Sequence, residues 1–323
     1  MSSQISLAYG RRACDFSFDD SRFSIITKNS AGQTPLSDFE VGSAFDSPIA
    51  SPPIDEIAGS DDSVLIVVSD ATRATASAQI VNLLVRRLIQ AGVSPANIAI
   101  IFATGIHRPV GEAGVRAGAL HGNAVHEECE RVATLVSPAF GINTIVDENK
   151  RAVKMFCGDW RLAHRAGCEF YLDQHSVAIS AKRDIVIASC GGFPHDINLI
   201  QAHKALDMAA LACNDGGTII LVAECSDGLG RPDFLKWFEA SDSRALEARL
   251  VNGYEVNGQT AWALLTKAER YRVCLVSELP SEDVKRMRMV PMQTVAEALE
   301  QAGSGEGFIM PRGAAVLPRI TTT

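Results

Sequence analysis

The chain of 323 residues lacks the features that mark several large classes of protein. It has no surplus of positive charge: 30 Lys and Arg against 38 Asp and Glu leave a formal charge of −8 and an isoelectric point near 5.4. Nucleic acids and anionic membrane surfaces need a concentrated positive field, so neither is an expected partner. It has no long hydrophobic run. The opening MSSQISLAYGRRACDF carries no apolar stretch of signal-peptide length, and VLIVV (64–68) and TIILVA (218–223) are strand-sized, so the expectation is a cytoplasmic chain without a membrane span. None of the eight cysteines (14, 129, 157, 168, 190, 213, 225, 274) stands in a C-x-x-C pair, which excludes a zinc ribbon and a disulfide framework and leaves most of them as small buried apolar residues. There is no repeat period, and no G-x-G-x-x-G fingerprint or phosphate loop asks for a nucleotide.

What is present is an ordinary globular composition, 47% apolar and 21% charged, with length enough for two domains. The first sixty residues are hard to read: FSFDDSRFSIITKNS fits a hairpin or paired strands, and DSPIASPPIDEIAGSDDS reads as a connector. A regular pattern then begins. VLIVVSD (64–70) reads as a strand, SAQIVNLLVRRLIQAG (77–92) has apolar residues at helical spacing, and NIAIIFATG (97–105) is a second strand, together a β-α-β unit. HEECERVATLV reads as a helix, GINTIVDENKRAVKMFCGD as two short strands about Asp147-Glu148-Asn149, and WRLAHRAGCEFY as a helix. From residue 183 the alternation resumes: RDIVIASCGG, a strand; NLIQAHKALDMAALAC, a helix; GTIILVAECSDG, a strand. FLKWFEA opens a helical region, TAWALLTKAERY is a helix, YRVCLVSEL a strand and TVAEALEQA a closing helix. The implied fold class is α/β, two domains, each with a mostly parallel sheet flanked by helices and with the active-site cleft between them. The division expected is residues 1–180, shortened after residue 110, and 181–323.

Ligands of open α/β sheets collect at the carboxyl ends of strands. Three clusters follow strands here: Ser69-Asp70-Ala71-Thr72-Arg73; Ala103-Thr104-Gly105-Ile106-His107-Arg108; and Gly191-Gly192-Phe193-Pro194-His195-Asp196, continuing into Gln201 and Lys204. Each has a structural reading: Asp70 and Thr72 are good helix caps, the paired glycines suit a tight turn, and Gln201 with Lys204 fits an exposed helical face. Together they describe a site for a small anionic hydroxy acid. Arg73 can bind a carboxylate bidentately, Lys204 adds a second positive charge, and His107 can exchange a proton with a hydroxyl.

The segments SDATR (69–73), ATGIHR (103–108), GNAVHEE (122–128), FCGDWRLAHRAG (156–167), DIVIASCGGFPHDINLIQAHKAL (184–206) and GGTIILVAECSDGLG (216–230) resemble, in order, the nickel-dependent lactate racemases and related 2-hydroxyacid racemases and epimerases. The resemblance implies two α/β domains and racemisation or epimerisation of a small 2-hydroxy acid by reversible hydride transfer to a nickel pincer nucleotide; the alternative is a catalytically inactive homologue that binds a small hydroxycarboxylate. It implies that Asp70, Thr72 and Arg73 form a D-x-T-R motif with Arg73 on the substrate carboxylate. By the same resemblance His107 is one of two proton-transfer bases, Gln201 and Lys204 are a Q-x-x-K pair facing substrate, and Trp262 is an aromatic wall residue. The chain departs from the family after His107. Only 14 residues separate His107 from Gly122, where relatives carry a longer segment with the second histidine, the cofactor lysine and the nickel-binding histidine. His121 and His126 lie in the shortened stretch; His126 belongs to the G-N-x-x-H pattern and His121 has no neighbour at ligand spacing. His195 stands where relatives often have lysine. The cofactor's covalent and metal anchors therefore have no match, and the acid and the oligomeric state are not legible.

Overall fold

The computed structural model describes residues 2–28, 34–69, 75–103, 119–147 and 149–321. Asp70, Thr72, Arg73 and His107 lie outside them. The chain divides into two compact units, one built from residues 1–29 and 175–323, the other from nearly all of the residues between.

The first unit begins with a hairpin, β1 (Ser2–Tyr9) and β2 (Arg12–Asp19), paired without interruption from Ser2↔Asp19 to Tyr9↔Arg12. Its two-residue turn starts at Gly10, whose φ of +56° is the left-handed geometry such turns require. Alternate residues Leu7, Tyr9, Phe16 and Phe18 are buried, so one face of the hairpin is core. A short strand, β3 (Phe23–Ile25), follows.

The chain then enters the other unit with α1 (Asp38–Asp46), started by a capping box between Ser37 and Glu40, and the single turn α2 (Ile54–Ile57). Next come β4 (Val64–Ser69), α3 (Ser77–Gln90) and β5 (Ile98–Ala103), with β4 and β5 parallel in register Val64↔Ile98 to Ser69↔Ala103. Ile80, Leu84 and Leu88, four apart, are the buried stripe of α3 and share a core with Val41, Phe45, Met155 and Cys157. α4 (Ala124–Val136), capped by Asn123, leads to the antiparallel pair β6 (Gly141–Val146) and β7 (Ala152–Gly158), and then to α5 (Trp160–His175). Among the described residues this unit thus holds one parallel and one antiparallel pair.

Back in the first unit the chain runs β8 (Ser176–Ile179), β9 (Arg183–Ser189), α6 (Leu199–Ala212), β10 (Cys213–Val222), α7 (Ser243–Asn252), α8 (Gly258–Arg270), β11 (Arg272–Val276), α9 (Ser281–Arg286), β12 (Val290–Met292), α10 (Val295–Ala302), β13 (Gly307–Met310) and β14 (Leu317–Ile320). The residues FLKWFE open the helical region as a 3-10 helix, and the α-helix begins later, where the Asp242 side chain accepts Ala245 N–H. Six strands form one parallel sheet in the order β12-β11-β10-β9-β13-β3. The apolar runs of β9 and β10 are buried on both faces, as parallel sheets demand. α6 and α8 pack on one face with Val186, Leu221, Phe234 and Trp237, and the hairpin and α10 cover the other with Ile187, Ile220 and Val276. Each fully buried Ile or Leu of this sheet contributes about 1.5–3 kcal/mol.

A cut at residue 180 would part β3 from the sheet it completes and the β1–β2 hairpin from the sheet face it covers. β3 is the sheet's edge strand beside β13, and Ser189 Oγ donates to the Ala8 carbonyl at 2.6 Å. The cysteines behave as expected: all eight are unbridged, and five are buried.

Candidate functional site

The strand order gives the first unit a switch point. From β9 the chain steps to β10, β11 and β12 on one side, then returns as β13 on the other side of β9. Open α/β sheets place ligands at the carboxyl ends of the strands flanking such a point, here β9 and β13; the segment after β13 packs back on the helix that follows β9, with Gly313 against Ala205 and Ser189.

The loop after β9 is held by backbone and side-chain bonds. Gly191 N–H donates to Ser189 Oγ at 3.0 Å, Phe193 N–H to the Gly10 carbonyl at 2.8 Å, and His195 N–H to the Gly192 carbonyl at 2.7 Å. Gly192, at φ +74°, lies so close to the hairpin that a Cβ there would stand 2.8 Å from Gly10 O. Asp196 is fully buried, and its Oδ2 accepts Gly10 N–H at 2.6 Å and Glu224 N–H at 3.2 Å, while its carbonyl accepts Cys225 N–H at 2.9 Å. One carboxylate therefore ties the hairpin turn, the loop after β9 and the loop after β10 together. Asn198 caps α6 by accepting Gln201 N–H at 3.0 Å, and its amide reaches Asp227 Oδ2 at 3.4 Å.

Gln201 and Lys204 fall in the first turns of α6, just after the loop that follows β9. Lys204 is exposed and its Nζ donates to Gln201 Oε1 at 2.7 Å, so the structure brings the pair together as one polar group. Trp262 is half-buried in α8 against the core under α6. α6 and α8 run alongside each other from the same edge of the sheet, joined farther on by Lys267 Nζ and Asp207 Oδ1 at 2.5 Å. Counting back along both helices from that ion pair puts Trp262 and Gln201 at similar heights, near the carboxyl edge of the sheet. His195 is exposed at the rim, its ring within 3.9 Å of where a Gly191 side chain would begin.

One residue at this point was not read from the sequence. Arg312 follows β13, and its Cγ lies 3.6 Å from the same Gly191 position, so Arg312 and His195 both stand beside Gly191. MPRG carries no pattern that marks it; only the placement of β13 beside β9 does.

The other proposed partners fall apart. His121 is fully exposed with Nδ1 3.9 Å from Glu127 Oε1. His126 instead stacks on His164, ring centroids 5.3 Å apart and 13° from coplanar, with Nε2 3.9 Å from Glu130 Oε2. Burial, and then the neighbouring His126, lower the pKa of His164; the Arg161 guanidinium beside Glu130 holds that carboxyl below its usual range. Among the described residues no group of three His, Cys, Asp or Glu side chains could hold a metal. No lysine lies anywhere between Arg73 and Lys150. The residues of this chain thus do not fit a covalently anchored nickel pincer nucleotide: the stretch that would supply the anchors has no lysine, His121 is fully exposed with no ligand partner beside it among the described residues, and His126 stacks on His164.

Comparison with known proteins agrees over both halves. Residues 9–139 match the family model for the lactate racemase N-terminal domain and residues 178–317 that for the lactate racemase C-terminal domain. Lactate racemase of Thermoanaerobacterium thermosaccharolyticum is 33% identical over 216 residues, a match covering 63% of this chain and 50% of that protein, so the matched part spans about half of that relative. Lactate racemase of Lactiplantibacillus plantarum is 25% identical over 423 aligned positions, covering 97% of this chain and 99% of that one. Among solved structures, the T. thermosaccharolyticum lactate racemase apoprotein superimposes with a TM-score of 0.85 at 24% identity, over 98% of this chain and 100% of the other. A Thermotoga maritima protein does so with 0.58 at 13% identity, over 92% and 100%. These likenesses establish the two-domain α/β fold.

Proposed function

Since the chain belongs to the lactate racemase family, we propose that it binds a small anionic 2-hydroxy acid at the switch point of its parallel sheet. The observation that carries this reading is the Lys204–Gln201 pair at the start of α6, an ammonium held 2.7 Å from an amide oxygen beside the β9 loop. The ammonium attracts the carboxylate, and the amide can exchange hydrogen bonds with the hydroxyl. By the family motifs Arg73, in the D-x-T-R motif with Asp70 and Thr72, is a substrate-carboxylate ligand, and His107 is a proton-transfer base for the hydroxyl. Trp262 walls the apolar side of the acid.

Racemisation or epimerisation through hydride transfer is the reaction implied by the family, whose relatives named above are lactate racemases. The pincer nucleotide supplies the hydride acceptor when it is bound. The anchoring residues described above do not fit it, so the chain's own groups support substrate binding and proton exchange but not cofactor retention.

Calorimetric titration with D- and L-lactate and their longer 2-hydroxy homologues tests the proposal. Binding heat is expected from at least one acid and is expected to fall at least tenfold in affinity with Lys204→Ala, about 1.4 kcal/mol. Lack of heat from every acid would overturn the reading. Nickel content and D/L-lactate interconversion, measured on protein from a host that makes the pincer nucleotide, separate enzyme from binder.

A further inference from the structure

The hairpin between β1 and β2 turns through two consecutive arginines that the structure treats differently. Arg12 is bonded to Glu224 at 2.7 Å and to Glu278, so its charge is matched. Arg11 is exposed and, among the described residues, pairs with no carboxylate; its guanidinium carbon sits over the ring of Phe193, 3.9 Å from the centroid. Phe193 is itself 41% exposed in the loop after β9, so its ring serves as a platform rather than as core. Stacking engages the flat face of a guanidinium and leaves the N–H groups along its edge for an anion. The platform is fixed in place. Phe193 N–H donates to the Gly10 carbonyl at 2.8 Å, Gly192 packs against Gly10 and Ala8, and Asp196 accepts Gly10 N–H at 2.6 Å. An arginine seated on such a support gives up less rotamer freedom on binding than one loose in water.

Other groups of the same loop favour an anion. His195 and Arg312 both stand beside Gly191. The N–H of Gly192, a buried residue, has no acceptor among the described residues, and a backbone donor left so suits an oxyanion. The loop's own carboxylate, Asp196, is fully buried with Oδ2 turned to two backbone N–H groups, so it offsets this positive character only in part. We infer that Arg11 is the ligand of a second oxyanion: the site takes a 2-hydroxy acid that carries, besides its carboxylate, a further acidic group, a carboxylate or a phosphate. This rests on the reading of Lys204 and Gln201 as the contacts of the first carboxylate and the hydroxyl. One loop serves both. Gly192 and Phe193 near its start hold the hairpin turn with Arg11, and Asn198 at its end caps the helical turn that carries Gln201. Lactate, with one acidic group, leaves Arg11 unused.

Calorimetric titration of the whole chain with D- and L-lactate, D- and L-malate and 3-phosphoglycerate tests this, malate and 3-phosphoglycerate distinguishing a carboxylate from a phosphate. At least one of the doubly acidic ligands is expected to bind about tenfold or more tighter than lactate. Arg11→Ala should remove that advantage and leave lactate affinity within about twofold. Phe193→Leu, which keeps the charge and takes away the ring, should lose part of it. Folding of each variant is checked by circular dichroism, and Arg11→Gln, which keeps the length without the charge, replaces the alanine variant if that chain fails to fold. Malate and 3-phosphoglycerate binding no tighter than lactate, or Arg11→Ala weakening lactate as much as the doubly acidic ligands, overturns this inference and leaves the hydroxy-acid reading standing. Absence of heat from every acid overturns both.

Discussion

Asp196 is the most consequential single side chain of the candidate site, and removing it has a calculable effect. It is fully buried, and its Oδ2 accepts two backbone N–H groups from segments distant in sequence, Gly10 at 2.6 Å and Glu224 at 3.2 Å. Asp196→Ala leaves both donors without their acceptor, and each such loss costs about 1–3 kcal/mol, the longer bond counting least. Against this, Oδ1 is buried with no hydrogen-bond partner among the described residues, so the substitution also relieves part of a desolvation penalty. The net loss is about 3 kcal/mol, which in a unit of this size lowers its melting temperature by about 6–12 °C. The assay is thermal unfolding followed by tryptophan fluorescence in a Trp160→Phe background, so that only Trp237 and Trp262 of the first unit report. Asp196→Asn keeps the shape and one acceptor oxygen and should lose about 1 kcal/mol. If the alanine variant loses less than about 1 kcal/mol, or asparagine is as harmful as alanine, the carboxylate does not hold the three loops together.

Lys204→Ala should weaken hydroxy-acid binding at least tenfold, and Lys204→Arg, which keeps the charge, should weaken it less; equal losses would count against a charge contact. The stacked pair His126 and His164 should make the second unit sensitive to acid. His164 is buried beside His126, so its folded pKa lies below its unfolded one; its contribution is whole above the unfolded value, about pH 6.5, and is lost as pH falls through the folded value. The melting temperature should therefore drop between pH 7.5 and pH 5.5, about one pH unit to either side of the unfolded value, by more in the wild type than in His164→Gln; parallel drops would refute this origin. His203, also lowered by burial, acts in the same direction in the first unit and serves as the internal comparison. Gly192→Ala should lose about 2–4 kcal/mol, because φ is +74° and the new Cβ meets Gly10 O at 2.8 Å. Gly191→Ala, with nothing closer than 3.6 Å, should lose about half as much in the same thermal unfolding assay.

The alternating and helical apolar patterns were enough to place β4, α3, β5, β9, α6, α8 and β11, since a strand buried on both faces or an amphipathic helix writes its environment into local sequence. The same local chemistry identified the segment from Asp184 to Leu206 as a strand, a glycine loop and a capped helix, and so brought Gln201 and Lys204 to light. It could not place β13 or β14, four-residue strands too short to show a period, nor show that β3 completes the six-stranded sheet and the β1–β2 hairpin covers it. Pairing between residues some 280 apart, such as Phe23 with Gly307, leaves no trace in either segment alone. The sequence by itself determined most of the elements, the family and the candidate polar groups, because these depend on neighbours along the chain. Tertiary structure alone decided that Arg312 and His195 both stand beside Gly191, that His126 stacks on His164, that Asp196 binds three loops, and that β5 is exposed along most of its length. Each of these is set by which distant strands and helices meet, and that is fixed by packing rather than by local preference.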